Sequence, residues 1–269
     1  MTHADGLTAK DALALLVPVV RKAGEIGLRF ARDGAKTFTK KDASPVTEAD
    51  LAINAFLAEE LRDLSPAIGW LSEEDGDNAE RLKKRQVFIL DPIDGTRGFI
   101  AGNGEWVVSV ALVEDGRPLA GVLYRPTTGD LYKAGRGLGA HKNGVRLRVT
   151  PGDTASTAVI AGPKPAVDLL LHDLPDLKRI SSLASLALRL AYVAEGKCDA
   201  ALAKANAHDW DIAAADIILS EAGGRLTTLD GAEIAYNRLE PVHAILVAGG
   251  VARHDGLTAL LRQRLPHGS

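Results

Sequence analysis

The 269-residue sequence predicts a mixed α/β fold, built as one large domain or two closely packed lobes. Stretches with apolar residues at helical spacing are interspersed with short apolar runs of strand length. The dipeptides Asp115-Gly116, Asn143-Gly144 and Asp230-Gly231 punctuate the chain as tight turns. A hydrophobic content of 46% is enough, at this length, to bury a large core.

The first element is an amphipathic helix over about residues 8–32, in which Thr8 and Asp11 suit a capping box and Pro18 should introduce a kink. Its apolar start, ALALLVPVV, has no basic segment before it and no small-residue cleavage site behind it. No apolar run approaches the ~20 residues of a membrane span, so a soluble protein without a membrane partner is expected. VTEADLAINAFLAEELRDL carries a second helical stripe with Thr47 as N-cap. AIGWLS and VFIL look like short buried strands, the second ended by Pro92. WVVSVALVEDGRPLAGVLY reads as a hairpin around Asp115-Gly116. Beyond residue 160 the pattern predicts a helix near 183–195, a strand in CDAALA, a helix over 209–222, a strand in HAILVAG and a last helix near 251–264. With no internal repeat, PGDTAS at 151–156 is the expected seam between an N-terminal α+β lobe (1–150) and a C-terminal α/β lobe (151–269).

A formal net charge of −3 provides no basic field of the kind that a nucleic acid polymer or an anionic membrane selects, so an anionic substrate must be held locally. Cys198 is the only cysteine, which excludes a disulfide within the chain and the paired-cysteine spacings of zinc sites. A reducing cytoplasm fits that usage.

Acidic residues recur where apolar runs stop. AIGWLS delivers Glu73 and Glu74, VFIL delivers Asp91 and Asp94, and the loop after CDAALAKANA delivers Asp209 and Asp211 at a helix start. The crevice beyond strand ends is a favoured ligand site, so these groups can converge on one cleft. Two carboxylates about 5 Å apart repel by roughly 3 kcal/mol at an effective dielectric near 20, and a cluster multiplies that. A cation must offset it. All-oxygen ligands without clustered Cys or His point to a hard ion such as Mg²⁺. Within DPIDGT, Pro92 removes a backbone donor, Gly95 permits a turn with positive φ, and Asp91, the Ile93 carbonyl and Asp94 can face one point. Thr96 opens a short helix whose first amides attract a phosphate oxygen.

Each piece alone has an ordinary explanation. DPxDG is often only a turn, with Asp94 a helix cap; Asp209 is a good N-cap and Trp210 a good core anchor; SEED is usually a solvated loop, and Lys40-Lys41 an exposed pair. GRGLG at 135–139 precedes no helix signal, so a dinucleotide fingerprint and hydride transfer are set aside. No histidine has metal-like spacing. The joint occurrence is what carries weight.

SPVTEAD, WLSEED, DPIDGTRGF and HDWDIAAAD, in this order and at these separations, resemble the inositol monophosphatase-like metal-dependent phosphatases over about residues 8–250. The resemblance implies a layered αβαβα sandwich of the inositol monophosphatase and fructose bisphosphatase type. It also implies hydrolysis of a small phosphate monoester assisted by two or three Mg²⁺ ions, sensitivity to lithium, and a homodimer.

Residue by residue, the resemblance implies that Glu73 holds a first metal with Asp91 and the Ile93 carbonyl, that Asp91 bridges metals, and that Asp94 and Asp211 complete a second site. Asp50 matches an acid near the attacking water, with Thr96 as its partner and Glu73 as a further catalytic group. Gly95, Thr96, Asp94 and Asp211 are expected against the substrate. Lys40 before SPVTEAD, NGEW at 103–106 and VAEGKCD at 193–199 look like the 3'(2'),5'-bisphosphate nucleotidase branch, which acts on 3'-phosphoadenosine 5'-phosphate. Arg97-Gly98 and Ser185-Leu186-Ala187 depart from that branch, and DGTR is similar to the histidinol-phosphate phosphatase branch; inositol monophosphatase is a third reading. Lys40 and Arg97 are the cations expected to hold a second phosphate. A non-catalytic binding or scaffold module of the same fold would be expected to lose Asp50, Glu73 or Thr96, and all three are present.

Overall fold

The computed structural model describes residues 6–41, 43–62, 66–152, 157–174, 176–180 and 183–264. Helix α1 (Ala9–Asp33) starts at the predicted capping box of Thr8 and Asp11 and continues through Pro18. Strands β1 (Thr37–Thr39) and β2 (Pro45–Thr47) form a small antiparallel hairpin that leads into α2 (Glu48–Leu57), capped by Thr47. Then come β3 (Gly69–Ser72), β4 (Gln86–Asp94), the short α3 (Thr96–Ile100), β5 (Val107–Glu114), β6 (Arg117–Arg125), β7 (Asp130–Gly135), β8 (Gly139–Lys142) and β9 (Val145–Arg146). The remaining elements are β10 (Val159–Ala161), α4 (Lys164–Asp173), β11 (Lys178–Arg179), α5 (Leu186–Ala194), β12 (Ala200–Ala203), β13 (Ala207–His208), α6 (Asp209–Glu221), β14 (Gly224–Thr228), β15 (Val242–His243), β16 (Leu246–Gly250) and α7 (Val251–Arg264).

Strands β3 to β9 pair in sequence order as one seven-stranded sheet, parallel between β3 and β4 and antiparallel elsewhere. The β5–β6 turn has positive φ at both Asp115 and Gly116, and the β8–β9 turn has the same at Asn143 and Gly144, the geometry that matches strand twist. A five-stranded sheet has the order β11-β10-β12-β16-β14.

Side-chain alternation assigns the layers. In β4, Phe88 and Leu90 pack with Leu16 and Val20 of α1 and with Ile53 of α2, whereas Val87 and Ile89 belong to the core shared with α5 and α6. That same central core takes Ala201 and Ala203 from β12, and the opposite residues Ala200 and Leu202 join Val167 and Leu170 of α4 and Leu257 and Leu261 of α7. The result is α1/α2, sheet, α5/α6, sheet, α4/α7: the αβαβα sandwich. Gly121 of β6 lets α6 lie close on the sheet, since a Cβ there would come within 2.7 Å of the Ala214 carbonyl. Among the described residues no helix is long and apolar enough to cross a membrane.

Several expectations are corrected. Pro92 does not end the second strand: β4 runs to Asp94, with a register shift between Asp91 and Asp94, because proline is tolerated where a bulge interrupts the hydrogen-bond ladder. The helix near 183–195 is shorter, with Ser185 as N-cap. β10, α4 and β11 show no clear periodicity in the sequence, α4 starting behind Pro163 with no side-chain cap. Residues 153–156 of the expected seam lie outside the described residues.

Candidate active site

Because β3 and β4 run parallel, their C-terminal ends open on the same edge of the sheet, and Glu73 follows one while Asp91 and Asp94 end the other. The bulge is locked by the Ile93 amide, which donates to Asp91 Oδ1 at 2.9 Å. Gly95 then turns the chain with φ 99° and ψ 37°; a Cβ there would meet the Glu105 carbonyl at 2.5 Å, so only glycine fits. α6 brings Asp211 in from the C-terminal half. Its Oδ2 accepts the His208 amide at 2.7 Å as part of a capping box, so the N-cap of α6 is His208, and the ordinary explanation of Asp209 as N-cap is set aside.

Asp91, Asp94 and Asp211 each place one carboxylate oxygen within 4.8 Å of the others. Together with Glu73, the Ile93 backbone, Gly95 and Thr96 they line a cavity of about 650 Å³, a size suited to a small-molecule site. Burial first, and then the neighbouring charges of Glu73, Asp94 and Asp211, hold the Asp91 carboxyl well above the ordinary range. Burial and Asp94 do the same to Asp211. Burial pushes Asp94 up to about 6 against the pull of three donors: the Ser185 hydroxyl, the Ala187 amide at 2.7 Å and the Leu186 amide at 3.3 Å. A carboxylate from β4 thus caps α5 across 91 residues of sequence. An all-oxygen donor set whose members raise one another's proton affinity fits a hard divalent cation.

Asp50 is fully buried on α2, and burial raises its pKa although Thr47 donates to its Oδ2 from both amide (2.7 Å) and hydroxyl (2.6 Å). Its other oxygen lies 3.4 Å from the Thr96 hydroxyl, which also lies 3.2 Å from the Ile93 carbonyl. Lys40, expected against the substrate, is not among the lining residues of this cavity: its ammonium sits between Glu73 (2.8 Å) and Glu74 (2.7 Å). That contact is physically favoured because two adjacent, half-buried carboxylates need a cation; burial still lifts Glu74 to about 7. Arg97 does line the cavity.

The sequence reading missed Lys164, Arg189 and Lys204, which line the same cavity from the C-terminal half of the chain. Lys164 is paired with Asp168, whereas the side chains of Arg97 and Lys204 make no ion pair or hydrogen bond among the described residues. Arg189 is 9% exposed; its Nη1 and Nη2 donate to the Leu202 and Leu183 carbonyls, both at 2.9 Å, and its Nε is buried with no partner. The signal for it was one arginine inside the otherwise apolar helix LALRLAYVA.

The raised carboxyls give a pH prediction. The unfolded chain holds these groups near their ordinary values, so between about pH 4 and about pH 7 the folded state binds the extra protons and its stability falls as pH rises through that window. A divalent cation held by Asp91, Asp94 and Asp211 would replace the protons on those three carboxyls. The rise in melting temperature on adding Mg²⁺ to chelator-treated protein should therefore be larger at about pH 7.5 than at about pH 5, read by scanning fluorimetry. An equal rise at both values would separate the acids from metal binding.

Three comparisons bear on this geometry. The sequence matches the model of the inositol monophosphatase family over residues 9–265. It is 33% identical over 234 residues to the 3'(2'),5'-bisphosphate nucleotidase CysQ of Aggregatibacter actinomycetemcomitans, covering 84% of this chain and 87% of that protein. It is 34% identical over 232 residues to the inositol-1-monophosphatase of Rhizobium meliloti, covering 81% and 86%. Among solved structures, the extragenic suppressor protein suhB from Bartonella henselae superposes with a TM-score of 0.84 at 29% identity, covering 94% of this chain and 99% of that one.

Proposed function

The chain belongs to the inositol monophosphatase family of metal-dependent phosphatases, and on that premise we propose that it is a 3'(2'),5'-bisphosphate nucleotidase acting, with Mg²⁺, on 3'-phosphoadenosine 5'-phosphate. The observation that carries this reading is Arg189. A guanidinium that lines the cavity while nine-tenths buried, with its Nη donors on neutral carbonyls, its enclosed Nε unpartnered and Asp94, itself an acid of the cluster, as the carboxylate acting on its charge, favours an anion brought by the substrate. One phosphate suffices for the acid end of the cavity. A second phosphate gives Arg189, Lys204 and Arg97 their counter-charge.

In this reading Asp91, Asp94 and Asp211, with Glu73 and the Ile93 carbonyl, hold the cations. When bound, these ions supply positive charge to the phosphoryl oxygens and the leaving alkoxide, and ease loss of a proton from water. The chain's own residues do the rest. Asp50 Oδ2 is pinned by Thr47, so Oδ1 is the oxygen that takes the hydrogen bond of Thr96 Oγ1. With its proton directed to Asp50, Thr96 offers lone pairs to a water and orients it toward phosphorus on the side away from the leaving alcohol. The Gly95-Thr96 backbone holds the reacting phosphate, and Lys40 keeps Glu73 and Glu74 together at the cavity edge. A homodimer in a reducing cytoplasm completes the proposal, and light scattering after size exclusion checks the assembly.

The test is phosphate release in Mg²⁺ from bisphosphate nucleotide, inositol monophosphate and histidinol phosphate, before and after Arg189→Gln and Lys204→Ala. Loss of a charge-assisted contact of about 1.5–3 kcal/mol should lower kcat/KM for the bisphosphate roughly 10- to 150-fold, with a much smaller change for inositol monophosphate. The ratio between substrates removes any general loss from disturbed folding. Equal losses on both would reject the second-phosphate role, and a wild-type preference for inositol monophosphate would move the enzyme to that activity.

A further inference from the structure

Asp209 and His243 form a buried pair beside the site that the reaction, as read above, does not use. Asp209 is the first residue of α6 and is fully buried. Acids in the first turn of a helix ordinarily face solvent, where the helix dipole favours them. Here Oδ1 lies 2.7 Å from His243 Nε2, Oδ2 accepts the Asn237 amide at 2.7 Å, and the Asp209 amide donates to the Pro241 carbonyl at 3.0 Å. Three bonds to the segment around β15 therefore grip one residue of α6 from outside the helix. Burying a carboxylate against an imidazole is not a cheap way to gain stability, which points to a geometric role.

Asp211 lies two residues farther on the same turn. One of its oxygens is spent on the His208 amide, so where the other points depends on how the first turn of α6 is set. The same segment also reaches the loop after β3. Asn237 Oδ1 accepts from Arg81 Nη1 at 2.7 Å, and Arg81 is paired at 2.7 Å with Asp77, in the loop that carries Glu73. Asn237 sits at φ 57°, a left-handed conformation that asparagine tolerates well.

We propose that Asp209 and His243 are positioning residues for metal binding: their bond sets the first turn of α6 so that Asp211 faces Asp91 and Asp94, and Asn237 ties this turn to the Glu73 loop. The inference rests on reading Asp211 as a metal ligand. It is tested on the full chain, stripped of metal with chelator and titrated calorimetrically with Mn²⁺, with kcat and KM measured at saturating Mg²⁺. Groups behind a metal ligand typically change affinity 10- to 100-fold, so His243→Ala should weaken Mn²⁺ about 10-fold while KM at saturating Mg²⁺ stays within about twofold. His243→Gln, whose amide can still donate to Asp209, should recover most of that affinity; a merely space-filling role would not distinguish it from an apolar residue of similar size, His243→Leu. If His243→Ala does not fold, His243→Asn, too short to reach Asp209, takes its place. Folded protein with wild-type Mn²⁺ affinity in that variant, while Asp211→Asn binds weakly, would overturn this inference alone. Wild-type affinity in Asp211→Asn would overturn the metal assignment and this inference with it.

Discussion

Asp91→Asn is expected to lower phosphate release by about 10³-fold or more while raising the melting temperature of the metal-free protein. The two effects have one origin. Asp91 lies at the centre of the acid cluster, 2% exposed, with Glu73, Asp94 and Asp211 all raising its pKa. Asparagine keeps the Oδ1 that accepts the Ile93 amide, so the bulge persists, but it removes the charge that the proposed shared cation would need. Removing one of several like charges relieves roughly 1–3 kcal/mol at an effective dielectric near 20. For a chain of this size that is a rise of roughly 2–10 °C in melting temperature. The Mg²⁺-induced rise seen in the wild type should shrink sharply. Scanning fluorimetry with and without Mg²⁺, beside a phosphate-release assay, reads all three; a destabilised metal-free variant that retains activity would remove Asp91 from the centre of the site.

What was legible in the sequence is what local chemistry decides. The capping box of Thr8-Asp11 and the N-cap Thr47 act within three residues, and Asp115-Gly116 and Asn143-Gly144 supply the positive φ that their turns require. The acids of DPIDGT and WDIAAAD were legible for the same reason: each ends or begins an element visible from its neighbours. The layer order needed the resemblance, since periodicity alone does not say that Val87 and Ala201 share one core while Phe88 and Ala200 face two others.

What was not legible depends on contacts between distant segments. Nothing near Lys40 announces that its ammonium is taken by Glu73 and Glu74, more than thirty residues away. The cap that Asp94 provides to α5 spans 91 residues, and it explains why Ser185, the N-cap of α5, sits against a cluster acid. Pro92 reads as a strand breaker in isolation; only the partner strand β5, with Ser109 opposite Asp91 and Val107 opposite Asp94, shows that the chain bulges and continues. Arg189 is the instructive case, because a charge inside an apolar helical stripe was a visible anomaly whose meaning required the cavity beside it.

Thr96→Ala and Asp50→Asn should each lower kcat by about 10²- to 10³-fold with little change in KM, because in the proposed mechanism they orient a water that counts only in the transition state. The hydroxyl of Thr96 lies 3.4 Å from Asp50 Oδ1 and 3.2 Å from the Ile93 carbonyl, both longer than a well-formed O–H···O bond, as is common for catalytic contacts before substrate is in place. Asp50→Asn should turn its carbonyl oxygen to the two Thr47 donors and present an amide N–H to Thr96, which reverses the hydroxyl and withdraws its lone pairs from the water. Loss of the charged cap on α2 should lower stability by about 1 kcal/mol, too little to explain the loss in turnover. Thr96→Ser keeps the hydroxyl and should retain most of the activity. Since either change alone would break the same proposed Asp50–Thr96–water chain, the double variant should be scarcely slower than the worse single one. Single-turnover and steady-state phosphate release on the four proteins give the coupling directly, and losses that multiply would show that Asp50 and Thr96 act on the reaction independently.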